Sequence, residues 1–260
     1  MQLTKHHGLG NDFLIALANA LPADAPALAE AVCHRTRGVG ADGLIFGLPG
    51  DAEAGTNVTM VLFNADGSRA EMSGNGIRCL AQAVVARGGC GVELRIGTDA
   101  GLRVVSVEPS DDPSVIQARV DMGPVSAGPA LGEIGYPDGL RFTTADVGNP
   151  HLIIHIPDVH AIDVAADGER LSRLARGVNV EFISPRPGGE GIELRVWERG
   201  VGVTEACGTG ACAAAQAAHD WGLTSQPVLV SMPGGNVIVE LGDTAVLIGP
   251  AEYIAAVDYG

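Results

Sequence analysis

Ser73-Gly74-Asn75-Gly76 and Cys207-Gly208-Thr209-Gly210 each stand directly ahead of an alanine-rich stretch of helical composition. A helix start carries backbone N–H groups with no partner inside the helix, and its aligned peptide dipoles favour negative charge there. Two such ends brought together would clamp a carboxylate. The same field draws a cysteine thiol from about 8.5 toward neutrality, which makes Cys207 a candidate thiolate base. A serine at the matching place caps a helix and donates a hydrogen bond, but without an activating partner it is a far weaker base than a thiol. Either motif alone also fits a plain helix cap whose glycines serve tight turns. It is their pairing that points to function.

The pairing belongs to a longer internal repeat. Gly10-Asn11-Asp12-Phe13-Leu14-Ile15 matches Gly148-Asn149-Pro150-His151-Leu152-Ile153 at an offset of 138. Gly38-Val39-Gly40 with Asp42 and Leu44-Ile45 matches Gly177-Val178-Asn179 with Glu181 and Ile183-Ser184 at 139, and the segment from Glu71 through Ala83 matches that from Glu205 through Ala217 at 134. Three matches in one order imply a duplicated domain whose copies face each other across a cleft, each giving one equivalent loop to it.

The elements that must position those loops follow from periodicity. Val92 to Ile96, Leu102 to Val105, Ile192 to Val196 and Val237 to Leu241 alternate apolar and polar residues and predict half-buried antiparallel strands. Gly76 to Arg87 and Gly210 to Trp221 predict helices, each ending at a glycine, Gly88 or Gly222. So much alanine implies close packing on all sides, hence central, buried helices. The expected fold is α+β: two pseudo-symmetric domains, each a mostly antiparallel sheet wrapped around one central helix, with the active site in the cleft between them. The polar, proline-bounded stretch from Glu108 to Pro113 predicts the connection, although a surface hairpin also fits it. This divides the chain into residues 1–112 and 113–249.

Composition narrows the function. Sixteen basic against 31 acidic residues leave a formal charge of −15, which repels phosphate backbones and argues against nucleic acid as partner. Apolar runs such as Val58 to Phe63 and His151 to Ile156 fall short of the roughly 20 residues of a membrane span. Met1-Gln2-Leu3-Thr4-Lys5 does not begin a secretion signal, so a cytoplasmic protein is expected. The five cysteines, Cys33, Cys79, Cys90, Cys207 and Cys212, form no C-x-x-C and read as free thiols. Lys5 is the single lysine, which disfavours a pyridoxal Schiff base. His151 and His155 have no third ligand near them and make a poor metal site. No cofactor and no metal are expected.

With these blocks in view, the chain resembles the diaminopimelate epimerases from end to end. The resemblance is carried by Lys5-His6-His7-Gly8-Leu9-Gly10-Asn11-Asp12-Phe13, Gly40-Ala41-Asp42-Gly43-Leu44, Phe63-Asn64-Ala65-Asp66-Gly67-Ser68, Gly148-Asn149-Pro150-His151 and Gly177-Val178-Asn179-Val180-Glu181. Most distinctive is Glu198-Arg199-Gly200-Val201-Gly202-Val203-Thr204-Glu205-Ala206-Cys207-Gly208-Thr209-Gly210.

The resemblance implies two similar halves with the C-terminal segment, residues 250–260, returning to the first. It implies interconversion of L,L- and meso-diaminopimelate, on the route to lysine and cell-wall precursors, by two proton-transferring groups on opposite faces, in a homodimer. The site residues follow from it. Asn11, Asn64, Asn149, Asn179 and Arg199 would hold the distal amino-acid end of the substrate, and Gly74, Asn75, Gly208 and Thr209 the reacting carboxylate. Ser73 and Cys207 would be the proton-transfer positions, with His151 and Glu198 beside them setting protonation. The family has a catalytic cysteine where this chain has Ser73. A change that disables the enzyme, a natural variant using another proton route and a relative with different chemistry all fit that serine. A racemase of another amino acid and an inactive amino-acid-binding relative stay open as well.

Overall fold

The protein is described by a computed structural model covering residues 1–88, 93–131 and 140–260. Cys90, and Val92 at the head of one expected strand, lie outside the described residues. The chain forms two compact units, Met1–Asp121 with Gly249–Gly260, and Met122–Ile248.

The first unit runs β1 (Gln2–Gly8), β2 (Asn11–Leu17), α1 (Ala25–Cys33), β3 (Gly43–Pro49), β4 (Val58–Asn64), β5 (Arg69–Ala70), α2 (Gly74–Ala86), β6 (Glu93–Thr98), β7 (Gly101–Pro109) and β8 (Val115–Asp121). The second runs β9 (Ser126–Ala127), β10 (Phe142–Asp146), β11 (Pro150–His155), α3 (Val164–Leu174), β12 (Asn179–Pro185), β13 (Ile192–Glu198), β14 (Gly202–Thr204), α4 (Gly208–Asp220), β15 (Val228–Met232) and β16 (Gly235–Glu240). The last strand, β17 (Val246–Asp258), belongs to the first unit from Gly249 onward.

The repeat read in the sequence is a repeat of strand pairing. In the first unit β2–β3 and β4–β6 are parallel, while β3–β4, β6–β7 and β7–β8 are antiparallel. In the second, β11–β12 and β13–β15 are parallel, while β12–β13, β15–β16 and β16–β17 are antiparallel. The first sheet closes on itself, because β17 pairs with β8 on one side and with β1 on the other, and β1 pairs with β2. Closure removes the unpaired edges an open sheet would expose.

The alanine-rich helix of each unit packs on its strands, α2 on β1, β2, β3, β7 and β8, and α4 on β10, β11, β12, β13, β15 and β16. Gly74 to Val84 of α2 are all buried, as are ten of the residues of α4. Small side chains are what let a helix be packed on every side. Both helices start two residues before the predicted Gly76 and Gly210, and they stop where Gly88 (φ 74°) and Gly222 (φ 68°) adopt the left-handed conformation that ends helices.

Two expectations are corrected. Each unit holds a second helix, not one: α1 packs outside the first sheet on Leu14, Leu44, Phe46 and Phe63, and α3 outside the second on Leu152, Ile154, Val180 and Phe182. With helices on both faces, the strands are apolar on both sides, which accounts for the continuous run Val58 to Phe63. The stretch from Glu108 to Pro113 is not the domain connection. It turns the antiparallel hairpin of β7 and β8, whose register runs from Val105↔Val120 to Pro109↔Ile116, and the chain changes unit nine residues later, between Asp121 and Met122.

Candidate active site

In the first unit Ser73 is the residue that caps α2: its Oγ accepts the Gly76 N–H at 3.0 Å. Asn75, in the first turn, is buried and donates from Nδ2 to Asn11 Oδ1 at 3.3 Å. Asn11 in turn donates to Asp42 Oδ2 at 2.8 Å, and Asp42 is gripped by Arg35. Arg78, fully buried one turn along α2, donates to the Gly74 carbonyl at 2.9 Å, to Asn75 Oδ1 at 2.8 Å and to the Pro250 carbonyl at 3.0 Å. Asn11, Gly74 and Asn75 are thus one connected group. Asn64 belongs to the neighbouring turn, donating to Ser68 Oγ at 3.0 Å, and the following Ala65 N–H donates to the Asp42 carbonyl at 3.0 Å.

In the second unit Cys207 caps α4 in the same way, its Sγ accepting the Gly210 N–H at 3.4 Å with Thr209 Oγ1 at 3.5 Å. Strands β11, β12 and β13 bring three ionisable groups to this helix. Alternation along a strand explains their shared face: Leu152, Val180 and Phe182 point to α3, so His151 and Glu181 point to α4. His151 Nδ1 lies 2.7 Å from Glu181 Oε1, both side chains being fully buried, and its Nε2 lies 2.9 Å from Asn149 Oδ1. Glu198 accepts the Thr204 hydroxyl. Asn179 Oδ1 accepts the Arg199 backbone N–H at 2.9 Å, and the exposed Arg199 guanidinium donates to the Gly177 carbonyl at 3.1 Å. Gly208 and Thr209, both buried, form the first turn of α4.

The thiolate expectation for Cys207 is corrected by these surroundings. Burial, then the carboxylates of Glu198 and Glu181, hold the thiol well above its ordinary range, against the weaker pull of Thr209 and the Gly210 N–H. The helix dipole acts within about one turn, and here low dielectric and two negative groups outweigh it. Cys207 therefore rests as a thiol. Burial also raises the Glu198 carboxyl above its ordinary value, against the Thr204 and Cys207 hydrogen bonds. Cys79 and Cys33 are pushed up to about 12, mainly by burial, and are not substitute bases.

Sequence reasoning missed Glu181, Asp42 and Arg78 as parts of these groups. The first two stood inside quoted motifs, and the signal was alternation: Glu181 is two residues from Asn179 on the same strand face. His155, read as structural, stacks at a tilt on Trp221, 6.3 Å between centroids. Among the described residues no group of three or more His, Cys, Asp or Glu is arranged to hold a metal ion. Among the described residues no helix is long and apolar enough to cross a membrane.

Solved structures share this fold. A probable proline racemase from Agrobacterium radiobacter K84 superposes with a TM-score of 0.78 at 16% identity, over 100% of this chain and 92% of that one. A hydroxyproline epimerase from Agrobacterium vitis gives 0.73 at 19%, over 100% and 91%. The chain belongs to the diaminopimelate epimerase family, whose model matches residues 3–127 and 143–254. The diaminopimelate epimerase of Desulforudis audaxviator is 40% identical, over 98% of this chain and 97% of its own, and that of Desulfitobacterium hafniense is 38% identical, over 98% and 96%.

Proposed function

We propose that this protein is a cofactor-independent isomerase that epimerises L,L-diaminopimelate to the meso form, in lysine biosynthesis. The observation that carries the reading is the matched pair of caps: Ser73 and Cys207 hold equivalent places at the starts of equivalent buried helices. An α-proton next to a carboxylate is very weakly acidic, so its removal demands that the charge developing on that carboxylate be stabilised. The N–H groups of Gly74, Asn75, Gly208 and Thr209, at two helix starts, are suited to that. On this reading Cys207, resting as a thiol, delivers a proton to one face of the α-carbon while the group at the Ser73 position takes the α-proton from the other, and Glu198 and His151 take part in restoring Cys207. The far end of diaminopimelate is a second zwitterion, matched by the amides of Asn11, Asn64, Asn149 and Asn179 and by Arg199, whose guanidinium suits a carboxylate. We extend the reading to a cytoplasmic homodimer on the strength of the family resemblance.

The test is incubation of L,L- and meso-diaminopimelate in D₂O, with proline and other single-centre amino acids alongside, following α-hydrogen exchange and interconversion. Exchange and epimerisation of diaminopimelate alone are expected, unaffected by EDTA or hydroxylamine. Turnover of proline instead would make the chain a racemase of another amino acid. Calorimetric binding of diaminopimelate with no exchange at either centre would make it a binding protein.

A further inference from the structure

Glu181 takes no part in the substrate contacts or proton transfers proposed above, yet it is a fully buried carboxylate. Oε1 meets His151 Nδ1 at 2.7 Å, and Oε2 is buried with no hydrogen-bond partner among the described residues. It also lies against the first turn of α4: a Cβ built on Gly210 would stand 2.7 Å from Glu181 Oε1 and 3.3 Å from Cys207 Sγ. An unpartnered, buried carboxylate oxygen is unfavourable for folding. A side chain kept only to fill this space would be more stable without the charge.

We propose that Glu181 is a positioning residue for proton transfer at Cys207: its carboxylate fixes a proton on His151 Nδ1 and places a second negative charge beside the thiol, alongside Glu198. This rests on the reading of Cys207 as the proton carrier. The elements packed on α4 include β11, β12 and β13, which bring His151, Glu181 and Glu198 to it, and the charges acting on Cys207 are those of Glu198 and Glu181. Two carboxylates around one thiol drive it back to the protonated form after each transfer.

The experiment uses the full chain and two variants, Glu181→Gln, which keeps shape and loses charge, and Glu181→Asp, which keeps charge. Iodoacetamide labelling of the Cys207 peptide is followed by mass spectrometry across pH. In Glu181→Gln the Cys207 rate at about pH 8 is expected to rise at least tenfold and its pH midpoint to fall, with Glu181→Asp returning most of the way. An unchanged midpoint in Glu181→Gln overturns the proposal. Buried Cys212 is the control for loosening, and if it labels too, the decision passes to the parent protein: ¹⁵N chemical shifts are expected to show His151 protonated at Nδ1, and a bare Nδ1 overturns the proposal. None of these readouts needs epimerisation, so a failure of the proposed function and a failure of this inference are separately visible.

Discussion

Ser73 Oγ and Cys207 Sγ close the same helix turn, each accepting the N–H three residues on, at 3.0 and 3.4 Å. The charged groups nearest the two helix starts differ. On the Ser73 side the buried Arg78 guanidinium is bonded to the Gly74 carbonyl in the first turn of α2. Beside Cys207 lie the carboxylates of Glu198 and Glu181. A cation favours the charged form of an acid and an anion disfavours it. On the proposed reaction, the Ser73 end would accept a proton and the Cys207 end, held as a thiol, would donate one.

Turnover is the first consequence. A hydroxyl at Ser73 is a poor base, and losing one general acid or base typically costs 10²–10⁴-fold. Ser73→Cys, nearly isosteric, is expected to raise the rate of diaminopimelate epimerisation by a factor in that range. A racemisation assay that finds the two proteins equal would mean that Ser73, or another group, already does the work.

A second expectation concerns acid stability. Burial pushes the Asp12 carboxyl up, but hydrogen bonds and charges from Arg35 and Lys5, at 2.8 and 2.9 Å, outweigh it and bring the value down to about 2 from 3.8. A value depressed in the folded state stabilises the fold above the unfolded value and loses that contribution as pH falls through the folded one. Asp12 should thus contribute about 2 kcal/mol near neutrality, vanishing between about pH 4 and pH 2. Urea unfolding of the parent and Asp12→Asn should differ by roughly that amount at about pH 7 and converge in acid. A gap that persists at about pH 2 would place the effect elsewhere.

Much of this was legible in residues. The duplication, both central helices and both caps followed from spacing and alanine content, because a helix buried on all sides permits few other compositions. The outer helices were not. In α1, Ala25–Cys33 is only nine residues long and its cap, Asp24, makes no side-chain hydrogen bond, so the local signal is weak. The Cys207 thiol was misjudged for a different reason. A helix start can be seen in sequence, but the approach of Glu198 and Glu181 from two strands depends on pairing that the spacing does not reveal.

Packing gives a third expectation, at Gly168 in α3. Alanine is favoured over glycine in a helix by about 1 kcal/mol, so Gly168→Ala would stabilise an unobstructed helix. Here the added Cβ would stand 2.3 Å from Trp197 Cβ and 2.7 Å from its Cγ, atoms fixed close to the β13 backbone. Overpacking of this kind costs about 1–3 kcal/mol and should win. A lower urea midpoint is the expected result, and one above the parent's would show that α3 can move off Trp197.

The differing surroundings of the two caps can be read directly in thiol chemistry. Only the thiolate reacts with iodoacetamide, so the pH at which each peptide labels reports the charge around it. In Ser73→Cys the new thiol stands on a partly exposed cap, in a helix whose first turn is held by Arg78, whereas Cys207 is 5% exposed and faces two carboxylates. The new thiol should label at a lower pH, and faster at neutrality, than Cys207 in the same molecule. Exposure alone would also give a faster rate, so the midpoint decides, since access scales the rate at every pH without moving it. Combining Ser73→Cys with Glu198→Gln removes one of the two charges, and the Cys207 midpoint should then fall toward that of the new thiol while the latter stays in place. If instead both thiols titrate together and neither responds to Glu198→Gln, charge does not separate the two helix ends, and the assignment of one as acceptor and the other as donor is wrong.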